Sequence, residues 1–231
     1  MPDALVNETP LLVPPTLGDQ TFRQLSGLLI SGQIAPGERL SIREIAEAFG
    51  VSMTPVREAV SRLAAPGALE VSRNRAATVP VMNVQKFRDI TRVRIEIEGF
   101  AAALAAENRT AEDLKAIEAA ERAFRDLSST RPQDVSNAVQ RNQQLHFEIY
   151  AAAHSPTLLE IVQALWLRVG PVLNLDLREN PDRLESGIAT LCHADALDAI
   201  RDRNPDAARA AIARDIDAAA RFIERQNKLP S

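Results

Sequence analysis

Between Ser41 and Leu63 the chain carries two short helical patterns around a single glycine, and this stretch constrains the fold more than any other. Ser41 precedes "IREIAEAF" with Glu44 three residues on, the spacing of a capping box. Gly50 stops that helix. In "VSMTPVREAV" either Ser52 or Thr54 caps a second helix, and Pro55 suits its first turn, where a missing N–H leaves no bond unmade. Val56, Val60 and Leu63 recur at i, i+4 and i+7 and share its inner face. Upstream, Phe22, Leu25, Leu28 and Leu29 predict a helix over 17–32 ended by Gly32, and "IAPGERL" reads as a turn about Pro36 and Gly37. Downstream, Val71, Val79 and Val81 flank "SRNR" as in a hairpin of two short strands. Two helices across a tight glycine turn, then a hairpin, predict a winged helix-turn-helix.

In that geometry the N-terminal end of the second helix points at a major groove. Ser52, Met53, Thr54 and Arg57 would then face base edges or phosphate, with Arg57 able to grip guanine or a phosphate through two N–H groups. The pattern alone leaves a second reading open, an ordinary surface helix whose arginine meets solvent or a nearby carboxylate. Charge does not decide between them. The net charge is −4, and residues 1–82 hold 7 Arg and no Lys against 8 Asp plus Glu. This argues against a protein that coats nucleic acid by bulk electrostatics, but not against a small module with a local reading face.

Near residue 82 the character changes to Ala- and Leu-rich helical periodicity. Helices are expected at about 84–107, 110–128, 133–154, 156–173, 181–203 and 205–227, separated by "NRT", "STRP", "HSP", "ENP" and "RNP". Six antiparallel helices make a bundle, with ligand sites between facing helices. The expected class is mainly α: a tail over 1–15, a winged helix-turn-helix over 16–82 and an all-helical domain over 83–231. A length of 231 residues suits two domains, and 45% apolar with 25% charged residues suits a globular chain. Cys192 is the single cysteine, so neither an intrachain disulfide nor a zinc ribbon can form. The N-terminus lacks a basic region and is broken by four prolines, and no apolar run reaches membrane-spanning length. A cytoplasmic protein with no membrane partner is expected.

Inside the bundle, Asn142 and His146 are four apart and share a helix face, while His193 and Asp215 each fall in mid-helix. On the residues alone they serve as readily as satisfied buried polar groups as they do as metal ligands. His154, before Ser-Pro at a helix end, reads as a cap, and Trp166 among Leu165, Leu167 and Val169 reads as core.

From Gly32 to Leu63 the sequence follows G-x-I-x-P-G-E-R-L-S-x-R-E-I-A-E-x-F-G-V-S-x-T-P-V-R-E-A-V-x-R-L without a gap, and this resembles the GntR family of bacterial transcription regulators. "RVRIEIEGFAAALAAE" over 92–107 resembles the opening helix of the FCD domain of the FadR-type subgroup. The resemblance implies DNA contact by Arg43 and Arg57, and backbone contact by Thr54. Met53 departs from the arginine that many members carry. A thioether donates no hydrogen bond, so shape or a thymine methyl would be read there. Ala76 stands where many members have Gly in the wing, with Arg73 and Arg75 available to the minor groove or phosphate.

The resemblance also implies a divalent-metal site at Asn142, His146, His193 and Asp215, with Asn in place of the family's Asp and Asp in place of its last His. Two imidazoles, a carboxylate and an amide oxygen suit zinc, nickel, manganese or iron, the amide being the weakest donor. A small organic acid is the implied effector, with Arg94 and Arg168 as its cations. Arg94 could instead pair with Glu98 at i, i+4. The implied protein is a homodimer on a palindromic operator, a repressor released by its effector. Two alternatives remain: a bundle that only dimerises around a decayed site, and a hydrolase in which His146, His193 and Asp215 hold a water-activating metal.

Overall fold

A computed structural model describes residues 14–72, 76–129, 135–179 and 187–230. Helix α1 (Leu17–Ile30) opens on a capping box between Thr16 and Asp19. Helix α2 (Ile42–Phe49) opens on the expected box of Ser41 and Glu44 and ends at Gly50, whose φ of 65° lies in the left-handed region that glycine enters without strain. Helix α3 (Met53–Ala64) follows at once. Leu25 and Leu29 of α1 share a buried core with Val56, Val60 and Leu63 of α3. Arg62 of α3 lies over the ring of Phe22, 4.0 Å from its centroid, and bonds Asp19 at 2.8 Å.

The wing is larger than a hairpin. Strands β1 (Arg39–Ser41), β2 (Glu70–Val71) and β3 (Ala76–Thr78) form one antiparallel sheet in the order β1-β3-β2, with Arg39 opposite Thr78 and Glu70 opposite Thr78 on the other side. "IAPGERL" is therefore a turn only in its first part, because its end is recruited by a strand far along the chain. Backbone bonds from Gly37 N–H to Val79 and from Val79 N–H to Glu38 extend the pairing. Val79 is buried just past β3, whereas Val71 on the edge strand and Val81 beyond the sheet are 51% and 54% exposed. Arg73 and Arg75 lie outside the described residues.

Six further helices follow among the described residues: α4 (Val84–Asn108), α5 (Ala111–Ser129), α6 (Val135–Ala151), α7 (Pro156–Glu179), α8 (Ile188–Arg201) and α9 (Pro205–Arg225). Helix α7 runs beyond the expected end at 173, straight through Pro171, and α6 stops before 154 because His154 takes a left-handed φ of 52°. Small residues let α4 and α9 approach closely: Ala101, Ala102 and Ala105 are fully buried, as are Ala208 and Ala211. A Cβ on Gly99 would lie 3.0 Å from the Arg209 side chain. Among the described residues no helix is long and apolar enough to cross a membrane.

Candidate functional site

The N-terminal end of α3 is open. Ser52 occupies the N-cap position but makes no side-chain bond to the helix, and the first turn carries no acidic residue. The unpaired amides and positive end of the helix dipole therefore face outward, an arrangement that attracts phosphate. Ser52, Thr54 and Arg57 are exposed, and Met53 is 46% exposed. Arg43, on α2, is exposed and paired with Glu47 at 2.8 Å.

The bundle builds its site from six helices. His146 of α6, His193 of α8 and Asp215 of α9 present ligand atoms that all lie within 4.8 Å of one another. Asp215 faces both rings, its Oδ2 3.2 Å from His146 Nε2 and its Oδ1 3.6 Å from His193 Nε2. Burial would raise the Asp215 carboxyl, but the imidazoles of His193 and His146 outweigh it and hold the group well below the ordinary carboxylate range. Asn142, Arg94 of α4 and Asn174 of α7 line the same cavity, together with Phe124 and Trp166. Its volume is about 40 Å³, enough for an ion or a few waters but not for a multi-carbon acid.

A buried carboxylate orients this set. Glu98, fully buried one turn after Arg94, accepts from Arg94 Nε at 2.5 Å, from the Tyr150 hydroxyl at 2.6 Å and from Trp166 Nε1 at 3.0 Å. Burial works against the Arg94 charge, yet Glu98 beside it more than compensates and raises its pKa. Burial, and then Glu98, push the Tyr150 hydroxyl well above its ordinary value. Because that hydroxyl donates to Glu98, its oxygen accepts from His146 Nδ1, 2.9 Å away. That leaves Nε2, 3.2 Å from Asp215, as the His146 ring nitrogen that faces the cavity and would ligate a metal.

The donor set fits a divalent cation. Among the described residues neither ring nitrogen of buried His193 has a hydrogen-bond partner, Asp215 Oδ1 standing off at 3.6 Å from Nε2, an expensive arrangement for a polar ring unless something else occupies its lone pair. Arg94 both pairs with Glu98 and lines the cavity. Arg168 does neither: it is exposed on α7 and is not among the residues lining the cavity. It lies two residues past the buried Trp166, about 200° around the helix. His154 bonds Asp113 at 2.8 Å, away from the cluster. Tyr150, Glu98 and Asn174 were not singled out as site residues in the sequence. Glu98 carries a signal as the i, i+4 partner of Arg94, Tyr150 one as the sole tyrosine and four residues after His146, and Asn174 none.

A winged helix-turn-helix joined to a helical bundle is the architecture of a DNA-binding transcriptional regulator. Residues 17–79 match the gntR family of bacterial regulatory proteins, and residues 89–218 match the FCD domain. The chain belongs to the GntR family of transcriptional regulators with an FCD domain; these are DNA-binding regulators, not enzymes. It is 36% identical over 155 residues to the HTH-type transcriptional regulator McbR of Escherichia coli K12, covering 67% of this chain and 69% of that protein. The Nta operon transcriptional regulator of Aminobacter aminovorans is 26% identical over 144 residues, 62% of this chain and 66% of that one. The solved structure of E. coli McbR/YncC superposes with a TM-score of 0.81 at 28% identity, covering 92% of this chain and 99% of that one. A GntR regulator from Rhodococcus sp. RHA1 shares the fold at a TM-score of 0.68 and 19% identity, over 90% of this chain and 97% of that one.

Proposed function

We propose that this regulator is a cytoplasmic homodimer that binds a palindromic operator through the N-terminal ends of its two α3 helices, as a repressor released by a small organic acid. Arg43, Ser52, Met53, Thr54 and Arg57 form the reading face, with Arg73 and Arg75 of the wing as its flank. His146, His193 and Asp215 hold a divalent metal, with Asn142 as a weak fourth donor. Such a metal, when bound, supplies an open coordination position for a carboxylate, and Arg94 supplies the facing cation. The observation that carries this reading is buried His193, neither of whose ring nitrogens has a hydrogen-bond partner among the described residues, beside Asp215 and His146. Dimerisation is supported by Val93 and Phe100, two apolar side chains seven residues apart on α4 that stand 43% and 46% exposed.

Two measurements test it. Elemental analysis of protein purified without chelator should find near-stoichiometric divalent metal, and Asn142→Asp should tighten it. If the native site is empty and only Asn142→Asp fills, the metal assignment fails for this chain. The purified protein should retard DNA from its own upstream region at low salt; no retardation overturns the operator reading.

A further inference from the structure

The last turn of α1 closes most of its carbonyls locally. Ser31 N–H bonds Gly27 at 2.9 Å, Gln33 N–H bonds Leu28 at 3.0 Å and Gly32 N–H bonds Leu29 at 3.0 Å. The carbonyl of Ile30, the final residue of α1, accepts instead from Nδ2 of Asn174 on α7. Asn174 is buried, and it lines the cavity that holds Arg94, His146 and Asp215. One side chain therefore touches both the candidate effector site and the DNA-binding unit.

The backbone reinforces this contact. Gly170, one turn before Asn174 and on the same face of α7, lies against Ile30: a Cβ there would fall 2.8 Å from Ile30 Cα and 3.0 Å from its oxygen. Pro171, between them in sequence, has no N–H to give the Leu167 carbonyl, so α7 lacks one rung where the cavity meets α1. On its other side α1 packs on α3 through the shared core of Leu25, Leu29, Val56 and Leu63. The order of contact is cavity, Asn174, Ile30, α1, α3.

We propose that Asn174 transmits the state of the cavity to the DNA-binding helices: filling the cavity withdraws its amide from Ile30 and loosens the end of α1. The proposal rests on the reading of this cavity as the effector site. A cavity of about 40 Å³ cannot admit a larger occupant unless a lining helix gives way, and the segment of α7 after Pro171 carries both Leu173 and Asn174 into its wall. The two arrangements are discrete, because a buried amide left without a partner is costly and Asn174 must bond either Ile30 or the occupant. Losing one such bond speeds opening of the α1 terminus about fivefold.

The test is amide hydrogen exchange of the full chain, read at residues 31–34, with zinc plus citrate as the probe and uptake of both measured in parallel. Zinc with citrate, whose carboxylates can accept from Nδ2, should speed exchange there about fivefold in the wild type, whereas zinc alone, which the cavity holds as it stands, should not. In Asn174→Leu, uptake should persist, 31–34 should already exchange fast, and zinc with citrate should add nothing. Asn174→Asp, which keeps the size and loses the donor, must agree, and guards against a misfolded leucine variant. Ala219→Met fills the cavity from α9 without any ligand, one turn past Asp215, and should reproduce the fast exchange. If the wild type takes up no zinc or citrate, the effector-site reading falls while Ala219→Met still decides the coupling. The proposal is overturned if bound zinc and citrate or Ala219→Met leaves 31–34 unchanged in an otherwise wild-type chain, or if the response survives in both Asn174 variants.

Discussion

The Nδ1 nitrogen of His146 lies 2.9 Å from the hydroxyl oxygen of Tyr150, which itself donates to the buried carboxylate of Glu98. That chain of donors leaves His146 one ring nitrogen to offer the cavity, and it does so through a residue that does not touch Asp215's side of the ring.

Removing the hydroxyl isolates this effect. Tyr150→Phe keeps the ring in place and frees His146 to carry its proton on either nitrogen, so metal affinity should fall roughly 10- to 100-fold. Competition against a chromophoric chelator measures it, with DNA retardation by the metal-free protein as the control. Unchanged affinity would mean that the ring is oriented by packing alone.

Glu98 is a structural hub as well. With Arg94 buried beside it, Glu98→Gln leaves a guanidinium charge uncompensated in the interior and should cost about 3–5 kcal/mol of stability. Urea unfolding of the metal-free chain gives the number. Pairing the change with Arg94→Met should recover much of the loss, because the Gln–Met pair carries no stranded charge. A single-variant cost below about 1 kcal/mol would show that water reaches this pair.

On the DNA side, Arg57 has no ion pair among the described residues and sits on the exposed face of α3. Arg57→Ala should weaken operator binding by about 1–3 kcal/mol. A salt series by fluorescence anisotropy then separates its roles. A slope reduced by about one unit assigns a phosphate contact, and a lost base preference at one position assigns a base contact. No loss of affinity would remove Arg57 from the reading face.

How much of this was legible in the sequence depends on the reach of each interaction. The α2 capping box, the Gly50 turn and the Val56, Val60, Leu63 face are local, and each is written in adjacent letters. Strand β1 was not legible as a strand, because Arg39 becomes one only by meeting Thr78. The closeness of His146, His193 and Asp215 follows from the family resemblance rather than from any local pattern, and the exposure of Arg168 follows from its helical phase relative to buried Trp166. The bonds of Tyr150 and Trp166 to Glu98 span 52 and 68 residues, and that of Asn174 to Ile30 spans 144. No periodicity carries information over such distances, so the orienting layer of the site is visible only in the folded chain.

The exposed pair on α4 yields the last prediction. Phe100 lies seven residues after Val93, so the two stand on one face of α4, and each leaves nearly half its surface open. A two-fold axis running past this face would bring each pair against its copy, burying four apolar side chains from the two subunits. Phe100→Glu would set two carboxylates against each other across that axis, and repulsion with loss of buried area should turn the dimer into monomers at micromolar concentration. Sedimentation velocity reads the mass directly. A persistent dimer would move the interface elsewhere on the bundle. A monomer that keeps its helical signal should also lose most of its operator affinity, since a single α3 reads only one half-site.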